Sequence, residues 1–278
     1  MFLPDFWRGA RVREKRMSAI LLDQDIVHYE ALGRGRPIVF LHGWVGSWRY
    51  WVASMQVAST SFRAYALDLF GYGDSAHDEG RYTLDQQSAL VGRFLDEMGI
   101  GKIAIVGHGL GALVGFYFAA QQPGSVDRIM AVNSPLDFNS VNSRLRTSTA
   151  VELVDWLSSR TPDAVTALAD ASKSDTRAIA ASMNNFQADS LFTQFRSANV
   201  PCLLVYGQND PSLSIPSAEN AASLSLHMHQ INLEGAGHFP MIDEAATFNR
   251  LLIDFLALDS GLSPRELGLK EEWKRRVR

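Results

Sequence analysis

The sequence predicts an α/β fold, a mostly parallel sheet covered by helices on both faces, with a helical insertion late in the chain. Three observations carry this. Short apolar runs alternate with helix-length segments, the pattern of βαβ units, whose strands are buried on both sides and so lose the in-out alternation of an exposed sheet. The alternation stops between Pro135 and Asn199, where about four helix-like pieces follow one another without a strand candidate. At 278 residues, 46% hydrophobic and 20% charged, the chain is long enough for one such domain carrying one insertion.

Each element follows from its residues. A strand pair spans Leu21 to Glu30 and turns at Gln24-Asp25. Further strands read as Ile38 to Leu41, Ala64 to Leu67, Ile103 to Val106, Ile129 to Val132, Cys202 to Tyr206 and Gln230 to Leu233, which makes eight. Helical periodicity covers Thr83 to Glu97, Leu110 to Gln122, Ser217 to Leu226 and Ala245 to Leu256. Inside the insertion, Leu153, Val154, Trp156 and Leu157 form one apolar face. Thr161-Pro162 starts a second helix as cap and first-turn proline, and Asp189 starts another. The expected organisation is a basic N-terminal extension at 1–16, a core at 17–134 and 199–260, a helical cap at 135–198 and a basic tail at 261–278.

Charge and cysteine content exclude several functions. The formal net charge is −4. Residues 1–16 nevertheless hold five basic against two acidic side chains, and residues 270–278 again five against two. The body between them is therefore acidic, which disfavours nucleic acid as a partner, because a phosphate backbone needs a broad basic surface. Basic ends with Phe2, Phe6, Trp7 and Trp273 beside them would support at most a weak peripheral contact with membrane or protein; solvated tails are the favoured reading. The single cysteine, Cys202, leaves no internal disulfide and no multi-thiolate metal site. No run of 18 apolar residues and no signal-peptide order are present, so a reducing cytoplasm is the expected location.

The chemistry-bearing residues lie at loop positions. After Ile103 to Val106 come Gly107-His108-Gly109-Leu110-Gly111, and then a helix led by Ala112 and Leu113. A strand, a glycine-lined bend and a helix in this order resemble the nucleophile elbow of the α/β-hydrolases, G-x-S-x-G, in which a strained turn lifts the middle residue above the sheet. Here that residue is Gly109, which offers no hydroxyl, thiol or carboxylate. Leu41-His42-Gly43-Trp44 resembles the loop whose backbone N–H, that of Trp44 beside Gly43, gives half of an oxyanion hole, with the N–H of Leu110 as the other half. Asp68 to Ser75 resembles the glycine-rich turn after the fourth strand, which shapes the site and does not react. Tyr206 to Pro211 resembles the acid loop, with Asp210. Gly235 to Pro240 resembles the histidine loop, with His238. The order Gly109, Asp210, His238 is the family's, and an insertion explains the long first gap. The resemblance extends over roughly residues 23–256, and four individually weak motifs gain specificity from their order.

The resemblance implies a serine that attacks a carbonyl, a histidine that takes its proton and an aspartate that orients the histidine. Glycine cannot take the first role, and loss of the nucleophile costs on the order of 10⁶ in turnover in a comparable serine protease. Four readings follow. The chain is a degenerate hydrolase that binds a small, largely apolar molecule in a capped pocket. Alternatively it is a non-covalent enzyme, a water-activating hydrolase, lyase, isomerase or cyclase, in which His238 oriented by Asp210 supplies acid/base catalysis worth about 10²–10⁴. It could also be an inactivated variant of an ester, lactone or C–C bond hydrolase, or a protein-interaction module on a dead hydrolase, as the N-myc downstream-regulated family illustrates. The missing side chain is expected to leave volume at Gly109 that would admit water or a bulkier ligand.

Each site residue also has a bland reading. The glycine-rich bend could hold a dinucleotide phosphate, but that fingerprint belongs at the first strand of its unit. His238 could be a satisfied core histidine and Asp210 a loop anchor. His42 and His108 are expected to pack against neighbours, and His77, His227 and His229 carry no pattern. Trp44, Trp48, Tyr50 and Trp51 are expected to divide between pocket wall and core. No metal or organic cofactor is implied.

Overall fold

Asp23 and Gln24 both adopt left-handed backbone, φ 49° and 76°, and close a two-residue turn between β1 (Ala19–Leu22) and β2 (Asp25–Gly33). Paired positive φ angles give the turn a twist that matches its flanking strands. They set the turn one residue earlier than Gln24-Asp25. The computed structural model describes residues 18–184 and 188–267; the extension expected at 1–16 and residues 268–278 of the tail, with Phe2, Phe6, Trp7 and Trp273, lie outside them.

The remaining strands are β3 (Arg36–Leu41), β4 (Phe62–Leu67), β5 (Ile103–His108), β6 (Val126–Val132), β7 (Cys202–Gly207) and β8 (Met228–Leu233). They form one eight-stranded sheet in the order β1-β2-β4-β3-β5-β6-β7-β8. β2 runs antiparallel to β1 and β4, and every other pair is parallel. All six residues of β5 and of β7 are buried, which is why these strands read as continuous apolar runs. Leu41 of β3 lies opposite Leu67 of β4 and Gly107 of β5, and Gly107 opposite Ala131 of β6. This register brings the loops that leave β3, β4, β5 and β6 to one edge of the sheet, where ligands of such folds bind.

Helices α1 (Val52–Ala58), α2 (Leu84–Glu97) and α3 (Leu110–Gln121) connect the early strands. Nine of the twelve residues of α3 are buried, since a helix that is apolar all round must be covered on every side. Between β6 and β7 come α4 (Arg144–Thr147), α5 (Ala150–Leu157), α6 (Pro162–Ala167), α7 (Thr176–Asn184) and α8 (Ala188–Ser197). Thr161 caps α6 through a bond from Ala164 N, with Pro162 in its first turn, and Leu153 and Leu157 of α5 are buried. Phe195 of α8 stacks on Phe116 of α3 with ring centroids 4.5 Å apart, so this helical segment is packed onto the core. The last helices are α9 (Ala218–Ala222), α10 (Pro240–Asp243) and α11 (Ala245–Leu256). The helix expected from Ser217 to Leu226 stops at Ala222; Leu226 is 74% exposed, so apolar residues there bury no continuing face.

At the opposite edge the buried guanidinium of Arg128 donates to the carbonyl oxygens of Phe255 at 2.7 Å and Asp259 at 3.0 Å and pairs with Asp127 at 2.7 Å. That single side chain fastens the end of α11 to β6. Among the described residues no helix is long and apolar enough to cross a membrane.

Candidate active site

Gly109 joins β5 to α3 with φ 48° and ψ −109°. This is a combination that side chains adopt only under strain of about 1–3 kcal/mol, and glycine adopts freely. Its N–H donates to Val132 O at 2.9 Å and its carbonyl accepts from Leu113 N at 3.2 Å, so the bend is tied to β6 on one side and to the first turn of α3 on the other. Leu110, the first helical residue, is buried, and the opening N–H groups of a helix have no partner within it.

The space over Gly109 is filled. A Cβ built there would lie 2.8 Å from Cζ3 and 2.9 Å from Cε3 of Trp44, closer than carbon atoms pack. The Trp44 side chain follows β3, is 0% exposed, and donates its indole N–H to Ser182 Oγ of α7 at 3.0 Å. The position a side chain would first take at Gly109 is therefore not open: an indole from the neighbouring loop crowds it.

Asp210 and His238 come together as expected. His238 Nδ1 lies 2.9 Å from Asp210 Oδ2, and both side chains are almost completely buried. Because an ionised carboxylate only accepts, Nδ1 carries the proton that faces Asp210, and Nε2 points away from that bond. Burial alone would raise the Asp210 pKa; the charge of and bond from His238, with two bonds from Ser212, outweigh it and hold the carboxyl below its ordinary 3.8. Nε2 of His238 is buried and has no hydrogen-bond partner among the described residues.

Three supporting residues take roles that no sequence motif assigned to them. Ser212 donates its hydroxyl to Asp210 Oδ1 at 2.6 Å, and its backbone N–H reaches the same oxygen at 2.8 Å, while Oγ lies 3.0 Å from His238 Nδ1. Asn133, in left-handed backbone directly after β6 (φ 43°), accepts from Gly207 N at 2.8 Å and donates to Gly237 O at 3.1 Å and His238 O at 2.9 Å. The Tyr50 hydroxyl accepts from Gly43 N at 2.5 Å and lies 2.9 Å from His108 Nδ1, to which it donates. Asparagine tolerates positive φ better than other side chains, and that preference is the one trace these residues leave in the sequence.

His108 packs, as expected, with its ring 4.6 Å from that of His238. Burial and then the neighbouring His238 push its pKa well below 6.5, so the ring is neutral. It also explains Gly43, where a Cβ would fall 2.8 Å from His108 Nδ1. His42 holds loops together: Nδ1 donates to Gly43 O at 2.8 Å, and Nε2 accepts from Leu69 N at 2.9 Å. The turn after β4 is organised by buried Asp68, which accepts from Trp48 N at 2.8 Å, Asp74 N at 3.1 Å and His28 Nδ1 at 2.9 Å. Trp44, Tyr50 and Trp51 are wholly core residues, and Trp48 sits at its border.

Comparison with known proteins agrees with this fold. Residues 36–164 match the family model described as alpha/beta hydrolase fold. A "Soluble epoxide hydrolase" of Corynebacterium sp. (strain C12) is 32% identical over 107 residues, 38% of this chain and 37% of that protein, so the match spans little more than a third of its length. The "Putative carbamate hydrolase RutD" of Enterobacter cloacae subsp. cloacae is 27% identical over 248 residues, 80% of this chain and 92% of that protein. Among solved structures, the meta-cleavage product hydrolase from Pseudomonas fluorescens IP01 superposes with a TM-score of 0.74 at 19% identity, covering 86% of this chain and 97% of that one.

Proposed function

The chain has the α/β-hydrolase fold, and from that premise we propose that Gly109 stands at the nucleophile position. The protein, on this reading, is a degenerate hydrolase that binds a small, largely apolar molecule beneath a helical cap formed by residues 135–198. The contact between Trp44 and Gly109 carries the reading. The Cβ of a serine at the bend would fall 2.8 Å from the indole, so the attacking atom is missing and a side chain there would have to displace Trp44. With Trp44 N–H and Leu110 N–H as oxyanion donors beside Gly43, the site would still bind a polarised oxygen. A cleft of about 520 Å³, lined by Trp156, Leu157, Thr161, Asn209, Pro211 and His238 among others, has the size of a small-molecule site and reaches the histidine loop. The three compared proteins are all named as hydrolases. The lone buried Cys202 fits a reducing cytoplasm.

The intact Asp210–His238 pair favours a second reading, a non-covalent enzyme in which His238 moves a proton. The complete burial of Trp44, Leu110 and the His238 ring favours a third, an interaction module on a closed hydrolase. One experiment separates the readings. The purified chain is treated with a fluorophosphonate and examined by native mass spectrometry. The binding reading expects no covalent adduct and a retained small molecule released on denaturation. A fluorophosphonate adduct on an elbow residue, or a burst of p-nitrophenol from a p-nitrophenyl ester, overturns it.

A further inference from the structure

Trp44 and His238 leave the centre of the site in an unbalanced state. The indole crowds Gly109, with its Cζ3 and Cε3 atoms 2.8 and 2.9 Å from where a Cβ would be, and spends its single N–H on Ser182 Oγ. Ser182 passes its own proton to Ile179 O at 2.7 Å, so its oxygen is the acceptor that holds the indole. Nothing comparable serves His238. Its Nε2, opposite the bond to Asp210, is buried without a hydrogen-bond partner among the described residues and would accept from a donor brought to it. The ring that bears it packs against His108, the residue before Gly109. A buried acceptor left unmade costs more than a made bond gains, and an apolar plug alone would leave that cost standing.

Resting on the reading that Gly109 marks a non-covalent site, we infer that Trp44 is a displaceable occupant. It swings out when its bond to Ser182 breaks and gives way to a planar aromatic molecule that carries a hydroxyl group. The ring of such a molecule would take the place of the indole beside Gly109, and its O–H would donate to His238 Nε2, the bond the indole does not make. The latch is local. Ser182 sits on α7, which is fastened to the core by Asp175: its N–H donates to Gly71 O at 2.8 Å, and Tyr82 Oη donates to its carboxylate at 2.8 Å. Opening therefore breaks that one indole hydrogen bond and draws a fully buried ring from its packing, while the helix stays docked.

The test titrates the full chain with 2-naphthol and, in parallel, with naphthalene, which lacks the donor. Trp44→Ala empties the slot and should bind 2-naphthol at least tenfold tighter than the unaltered chain, with naphthalene about tenfold weaker than 2-naphthol. Adding His238→Phe should abolish that preference. Ser182→Ala, which keeps the indole and frees it, should raise 2-naphthol affinity several-fold. Hydrogen exchange of the Trp44 indole N–H should quicken on 2-naphthol binding to the unaltered chain. Equal affinity for the two probes in Trp44→Ala overturns the inference. If Trp44→Ala does not fold, unchanged 2-naphthol affinity in Ser182→Ala overturns it equally. A retained non-aromatic ligand with no 2-naphthol binding sinks this inference and leaves the binding function standing, whereas a fluorophosphonate adduct removes the binding function itself.

Discussion

The side-chain amide of Asn133 donates to the carbonyl oxygen of His238 at 2.9 Å, across a separation of 105 residues. The same amide group reaches Gly237 O and accepts from Gly207 N. One short side chain at the end of β6 thus sets the distance between the strand that leads to Asp210 and the loop that carries His238. Asn133→Ala removes all three bonds from a buried position and should lower stability by about 2–4 kcal/mol, since each buried polar group left without a partner costs about 1–3 kcal/mol. Urea unfolding monitored by far-UV circular dichroism measures this, and a change below about 0.5 kcal/mol would show that the amide does not brace the two loops.

Tyr50 has a similar role one layer away. Its hydroxyl is the partner of both Gly43 N and His108 Nδ1, so Tyr50→Phe leaves a buried donor and a buried acceptor unmatched. We expect a loss of about 2–4 kcal/mol by the same reasoning. Thermal unfolding of Tyr50→Phe beside the unaltered chain is the check, and an unchanged midpoint would mean that other partners rescue both groups.

Gly109→Ser should destabilise the chain for two independent reasons. The residue must keep a positive φ, which costs about 1–3 kcal/mol for a side chain, and its Cβ must displace the Trp44 ring. The single variant should therefore melt lower and stay inactive towards p-nitrophenyl acetate. The double variant Gly109→Ser/Trp44→Ala relieves the clash and should hydrolyse the ester in a His238-dependent manner. A higher melting temperature for Gly109→Ser would contradict the strained bend. No activity in the double variant would mean that the oxyanion donors or the imidazole are misplaced.

His28 governs a pH-dependent part of stability. Burial lowers its pKa, but the hydrogen bond and charge of Asp68, with the charges of Glu30 and Asp74, outweigh burial and raise it above 6.5. A base whose folded pKa is raised stabilises the fold fully below its unfolded value and loses that contribution as pH rises through the folded value. His28→Gln should thus lower the melting temperature most at pH 6 and progressively less towards pH 9. His42 and His108 act with the opposite sign, since burial, the largest cause in both, lowers their pKa. His28→Gln and the unaltered chain share that acid-side loss, so it cancels in the difference. A difference that grows towards pH 9 would refute the assignment.

How much was legible in the sequence differs between the fold and the site. The strands β3 to β8 were placed to within a few residues, because a strand covered on both faces is mostly apolar, and residues 103–107 and Cys202–Gly207 are. The pairing of Asp210 with His238 followed from two loop motifs, each at the end or start of an element whose position periodicity had set. Asn133, Ser212 and Ser182 were illegible. Short polar side chains are common, and what they bond depends on which backbone passes nearby.

The order of strands and loops along the chain, and the absence of any reactive atom at Gly109, were decided by the sequence alone, since both are matters of covalent order and side-chain type. What fills the space at that bend was decided by tertiary structure. Trp44 lies 65 positions away, and nothing local to either residue sets their distance. Only the parallel register of β3 with β5, which lays Leu41 opposite Gly107, brings the loop after one strand over the turn after the other. Through-space packing therefore placed an indole where a side chain at the bend would begin.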